Sequence, residues 1–272
     1  MPATCRADVE ALLRAKKLDR TLVPVTKGSG ISVAVETITT GLTLLDQQLG
    51  GGLPLGHFSE VVGPRSSGRT SLLMAMLAAT TGRGELAALV DTFDMFDVES
   101  MAAAGVRLDR LLWVRGETST SAFPPATAGR RQPGADRAIE RALKATNLIL
   151  QAGGISLVAL DLADAPTHAL RRIPMTTWMR LQKVLEGQQA AAVVTGTVPL
   201  SRSAGGVTLA LARDEGLALR LAAQAARSGC AVPAQGWGLG VSGIDSEVRI
   251  QRARLVPGMG APVRLTATAL VA

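Results

Sequence analysis

The run Gly63-Pro64-Arg65-Ser66-Ser67-Gly68-Arg69-Thr70 limits what this chain can become more than any other stretch of it. It fits the phosphate-binding pattern G-x-x-x-x-G-K-[ST] at every fixed position but one, where Arg69 stands for Lys. Glycines in such a loop let backbone N–H groups turn inward around a phosphate, and the Thr70 hydroxyl would reach Mg²⁺. Lys presents a compact ammonium beneath the phosphates, whereas Arg is longer, planar and forked. The charge is kept and the geometry is changed.

Flanking residues strengthen the pattern. Phe58–Val62 is a short run that reads as a strand, and Ser71–Ala79 is rich in Leu, Met and Ala and reads as a helix. Strand, glycine-rich turn and helix together point a helix N-terminus at an anion. The candidate nucleotide-binding set is therefore Gly63, Ser67, Gly68, Arg69, Thr70 and Ser71.

A chain of 272 residues with 47% apolar and 19% charged residues is long enough for a well-buried α/β core. Its apolar runs are broken by charge well short of a membrane span, and Asp8 and Glu10 interrupt any signal-peptide core. Two cysteines, Cys5 and Cys230, support neither a disulfide framework nor a zinc site, which fits a reducing cytoplasm. The net charge of +7 suits nucleic acid or an acidic partner, although solvated basic faces explain it as well. With no Tyr, three Trp and four Phe, base stacking is a poor route to single strands. Any DNA binding is expected to be weak, nonspecific, salt-sensitive and directed at phosphate.

Along the chain, Val9, Leu12, Leu13 and Leu18 fall near helical spacing, giving an amphipathic N-terminal helix and linker over residues 1–34. That stripe either docks on a partner or packs on its own core. Residues 35–272 form the core domain. Its alternation of strands (Ala87–Asp91, Leu111–Val114, Ile155–Leu162, Ala190–Thr195) with helices (Asp97–Ala104, Asp136–Gln151, Met175–Glu186) predicts a mainly parallel central sheet flanked by helices. Residues 117–134 read as a mobile loop. The tail, Val248–Val256 and Val263–Leu270, reads as a hairpin about the four-residue turn 257–260.

Val35–Asp46, then Leu49–Gly56 with its three glycines, then the P-loop, resemble the bacterial RecA family nearly residue for residue. Leu89–Asp97 is similar to that family's next strand and turn, and Ile155–Asp161 to its Walker B strand. Asp161 then holds the place of the Mg²⁺-positioning acid. The likeness is dense over about the first seventy residues of the core and thin beyond them. It implies a RecA-like α/β P-loop fold. In that family an N-terminal helix docks between protomers, so self-association through Val9, Leu12, Leu13 and Leu18 is implied here.

The same resemblance shows departures. The family's catalytic Glu falls at Phe93, with Asp94 adjacent; its adenine-stacking Tyr falls at Ser100; its γ-phosphate sensor falls at Gly196. No catalytic residue and no metal ligand set is expected, no cofactor is required, and ATP with Mg²⁺ binds weakly at best. Arg69 is instead placed to neutralise Asp161 or another carboxylate, standing in for nucleotide. The DNA-binding loop before Gly205-Gly206 is short. Arg171, Arg172 and Arg202 are the phosphate-contact candidates.

A stripped RecA-like core with Val9–Arg14 and Arg202–Gly206 resembles the ImuA family, accessory proteins of bacterial translesion synthesis. That resemblance implies a scaffold or recruiter in the SOS response to DNA damage. Its partners would be an ImuB-like polymerase homologue and RecA, and its place the cytoplasm, on the nucleoid after damage. A divergent DNA-dependent ATPase and a RecA-filament regulator are the alternatives.

Overall fold

The computed structural model describes residues 36–116, 133–201, 206–213, 244–253 and 263–267. The N-terminal stripe, Arg202 and most of the expected loop at 117–134 lie outside these residues. Ten strands are described. β1 (Thr37–Ile38) and β2 (Leu53–Pro54) form a small antiparallel ladder. The remaining eight are β3 (Phe58–Val62), β4 (Ala87–Asp91), β5 (Leu111–Arg115), β6 (Leu157–Asp161), β7 (Ala191–Gly196), β8 (Val207–Arg213), β9 (Ile244–Ala253) and β10 (Val263–Ala267). They make one sheet in the order β10-β9-β8-β3-β7-β6-β4-β5. From β8 to β5 every pairing is parallel, and β9 and β10 add an antiparallel edge.

The central strands are buried on both faces, so they read as continuous apolar runs: Ala87–Asp91, Leu157–Asp161 and Ala191–Gly196 are buried throughout. Alternate residues feed two separate cores. Val61, Leu89, Ala159 and Val193 pack with Leu72, Leu73, Met76 and Leu77 of α2 (Arg69–Gly82) and Met101 of α3 (Val98–Ala103). Phe58, Val90, Leu160 and Val194 face the other way. They meet α4 (Pro133–Ala152), α5 (Thr167–Leu170) and α6 (Met175–Leu185). In α4 the buried residues Ile139, Ala142, Thr146, Ile149 and Leu150 recur at helical spacing. Gln182 of α6 ties that layer to the sheet, accepting from Phe58 N at 3.1 Å and donating to Gly56 O at 3.0 Å.

Residues matching the RecA pattern before the P-loop form a clasp. Asp46, in α1 (Thr43–Gln48), accepts from Thr39 Oγ1, and from Thr40 N and Oγ1 at 2.8 Å each. Gly52 has φ +135°, and a Cβ there would stand 2.0 Å from Ile38 O, so only glycine fits.

Three expectations need correction. The alternating run Val207–Arg213 is a sheet strand that the sequence reading passed over. Helix α4 begins at Pro133, inside the expected loop; proline suits a first helical position because its missing N–H has no partner there anyway. The tail strands do pair, but Val263 lies opposite Val248, so the paired segments are not closed by residues 257–260. Residues 249–253 pair instead with β8, with Arg249 opposite Ala210 and Ala253 opposite Val207. β9 is an inner strand, and sheet neighbours on both sides set its register.

Candidate functional site

The parallel strands end together at one edge of the sheet, where doubly wound folds hold ligands. Their register lines up a row of side chains: Val61 opposite Thr195, Thr195 opposite Asp161, and Asp161 opposite Asp91. The P-loop leaves β3 beside this row. Its backbone has the required turns, with Ser66 at φ +58° and Gly68 at φ +88° before the first turn of α2. A Cβ on Gly63 would meet Leu211 O and Ser67 Oγ at 2.6 Å each, which explains glycine at that position. The first turn of α2 carries no acid and no side-chain cap, leaving its N–H groups directed outward. Thr70 is exposed at this end, Ser71 is partly buried, and Ser67 is buried in the loop.

Arg69 is only 6% exposed, and its Nη1 donates to Ala163 O at 3.4 Å. Burial lowers its pKa, opposed by the charges of Asp161 and Asp164. It reaches the segment after β6, where it meets a main-chain carbonyl rather than the expected carboxylate. Arg69 makes no ion pair with Asp161 among the described residues, and Arg65 pairs with a different carboxylate, its Nη2 lying 3.2 Å from Asp164 Oδ1.

Asp161 itself accepts from Thr195 Oγ1 and, at 3.1 Å, from Ala163 N. Burial raises its pKa to about 6, with these hydrogen bonds opposing the shift. Asp91 is also raised by burial; it accepts from Met95 N at 2.9 Å and Phe96 N at 3.0 Å, fixing the turn after β4. Within that turn Phe93 packs against the core under α4–α6. Asp94, at φ +56°, accepts from Arg115 Nε at 2.6 Å and Nη2 at 2.9 Å. Asp94, the acid next to Phe93, is thus held by a forked cation. Ser100 is exposed on α3, its N–H bonded to the Asp97 cap at 2.8 Å. Gly196 is the last residue of β7, and its carbonyl accepts from Gly63 N at 3.2 Å.

The loop backbone has the turns of a phosphate site, while Arg69 is held on the Ala163 carbonyl and Asp94 on Arg115. No hydrolytic step is assigned to this site. Among the described residues no cluster of His, Cys, Asp or Glu forms a metal site.

Sequence reading missed Glu60. It sits in the middle of β3, 1% exposed. It accepts from Leu200 N at 2.7 Å, from Ser201 N, and from Thr208 Oγ1 at 3.1 Å. A carboxylate inside an apolar strand was the available signal, because buried charge must be partnered. It anchors the loop that leads toward Arg202.

Two of the DNA candidates are described. Arg171 and Arg172 are exposed between α5 and α6, and Arg172 Nη1 lies 3.4 Å from Asp136 Oδ2. Arg202 lies outside the described residues, as do Val9, Leu12, Leu13 and Leu18.

The fold and this edge define a P-loop α/β protein with a RecA-like core. Residues 16–126 match the RecA N-terminal domain. Over 96 residues the chain is 43% identical to protein RecA of Synechocystis sp., covering 35% of this chain and 27% of that protein. Against protein RecA of Crocosphaera subtropica it is 42% identical over 96 residues, 35% of this chain and 28% of the relative. Against that of Prochlorococcus marinus it is 33% identical over 140 residues, 52% of this chain and 32% of the relative. The homology to RecA proteins is partial: the matches span about a third or less of these relatives' lengths. No helix among the described residues is long and apolar enough to cross a membrane.

Proposed function

We propose that this protein is a catalytically degenerate, RecA-like accessory factor of the DNA-damage response. It acts as a scaffold or recruiter for mutagenic translesion synthesis. Its contacts are with an ImuB-like polymerase homologue and with RecA, and it works in the cytoplasm, on the nucleoid after damage. The single observation that carries the reading is the state of the P-loop edge. Arg69 is committed to the Ala163 carbonyl, Phe93 is part of a core, and Asp94 is locked to Arg115. A frame kept while its chemistry is dismantled is a frame used for its surface.

The test is phosphate release from ATP by the full chain with and without single-stranded DNA. Background turnover is expected, with at most weak nucleotide binding. DNA-stimulated release that Asp161→Ala abolishes would overturn the proposal. That outcome would favour a divergent DNA-dependent ATPase, for which the open α2 N-terminus and exposed Thr70 are the supporting features.

A further inference from the structure

On the opposite face from α2, helix α4 and the α5–α6 segment enclose a groove of about 770 Å³. Its walls are apolar: Ile139, Leu143, Ile173 and Leu181, with Leu148 exposed at 64% along one side. Exposed leucine at that level, beside further apolar side chains, marks a surface with something to cover. The volume lies within the range of ligand pockets and takes roughly two or three large side chains.

The rim is charged unevenly. Lys144 pairs with Glu140 at 2.8 Å and Arg172 with Asp136 at 3.4 Å. Arg180, also lining the groove, makes no ion pair among the described residues. Arg171, next to Arg172, is exposed and likewise has no ion-pair partner there. Asn147 Oδ1 is buried in the groove wall and accepts no hydrogen bond among the described residues. An apolar trough, a rim arginine with no acidic partner among the described residues and a spare amide acceptor together describe a peptide site.

We infer that this groove docks a short segment of a partner protein carrying two or three apolar side chains set among Asp and Glu. The apolar residues fill the trough, the acids meet Arg180 and its neighbours, and a backbone N–H donates to Asn147 Oδ1. Charge selects this occupant over two of the chain's own segments, while residues 214–243, with two Asp and Glu against two Arg, are told apart by crosslinking. Residues 1–34 hold six Lys and Arg against three Asp and Glu, and residues 117–132 hold two against one. A second copy brings the same basic surplus, +7 per chain. The inference deepens the scaffold reading, on which it rests for its biological meaning, by giving protein contacts an address.

The experiment uses the full chain and three fluorescein-labelled peptides that share one Leu/Phe stripe. Their remaining positions are Asp/Glu, Ser/Gln or Lys/Arg. By anisotropy at physiological salt, the acidic peptide should bind about tenfold or more tightly than the uncharged one, and the basic peptide weakest. Arg180→Glu should erase that preference, while Lys183→Glu, an equal charge change outside the groove lining, should leave it. Leu143→Gln should weaken the acidic and uncharged peptides together, with melting curves confirming that each variant is folded. Equal binding of the acidic and uncharged peptides, or a preference that survives Arg180→Glu, would overturn the inference. A photo-crosslinker at Leu148 that joins residues 1–34, residues 214–243 or a second copy would overturn the assigned occupant. ATP turnover by the unaltered chain would sink the scaffold reading and leave these peptide results standing, so the two failures are distinguishable.

Discussion

Around the P-loop the backbone is held by residues that tolerate little replacement. The α4–α6 face is held by side chains for which several others would serve. Gly52 and Gly63 have no room for a Cβ, and Asp46 collects three hydrogen bonds from the turn before α1. In α4 and α6 the requirement is only an apolar stripe of about the right volume. The segment under strict backbone constraint is the one whose RecA resemblance is dense. Yet within it the places that the RecA resemblance gives to the phosphate cation, the base and the adenine-stacking ring fall at Arg69, Phe93 and Ser100. Resemblance in this region reports how the chain must turn. It does not report what the site does.

The sharpest way to break that comparison is to alter one position in each region. Gly52→Ala is expected to cost about 3–5 kcal/mol or to abolish soluble expression, since its Cβ would collide with backbone. Leu148→Ala, on the exposed groove wall, should stay within about 0.5 kcal/mol. Urea melts of the two variants measure the contrast, and similar costs would erase it.

Glu60 gives the next effect in size. Glu60→Ala leaves Leu200 N, Ser201 N and Thr208 Oγ1 without their acceptor and should cost about 3–5 kcal/mol. Glu60→Gln keeps one carbonyl oxygen and should cost roughly 1–2 kcal/mol. If denaturant midpoints for the two coincide, the carboxylate is not what holds the loop.

Asp161 is expected to act in the opposite direction. Its folded pKa of about 6 lies above its ordinary value of 3.8, so the native state holds a proton that the unfolded chain has released. Stability from this group is therefore full below about pH 4 and falls between about pH 4 and 6. Asp161→Asn cannot ionise. It should match the parent near pH 4 and exceed it by about 2–3 kcal/mol at pH 8, read from melts across pH. Loss of stability at pH 8 would mean that the ionised carboxylate holds the site together.

The smallest expected effect is on activity. Arg69→Lys restores one phosphate contact but no base, so phosphate release should remain at background. A clear gain would show that Asp94 leaves Arg115 and serves as base, which would return the P-loop edge to chemistry.

Much of the frame was legible because its signals are local. The central strands stood out as apolar runs, the P-loop as a glycine spacing, and α4 and α6 as helical stripes. Most bounds fall within a few residues of expectation, since hydrophobic period and end residues act over one turn or one strand. The placement of Val207–Arg213 and the register of β9 were not legible. The alternation of Val207–Arg213 was a local signal left unread, whereas its neighbours and the register of β9 depend on which strands stand side by side, and no local pattern carries that.

The sequence by itself determined that a strand, glycine-rich turn and helix would form with Arg69 in the place of Lys, because those facts are residue identities at fixed spacing. Only the tertiary structure decided where the side chains point. Arg69 reaches a carbonyl while Arg65 pairs with Asp164, Asp94 turns to Arg115, and Glu60 holds a loop far along the chain. Each is a contact between segments distant in sequence, fixed by strand order and register after the backbone has chosen its path.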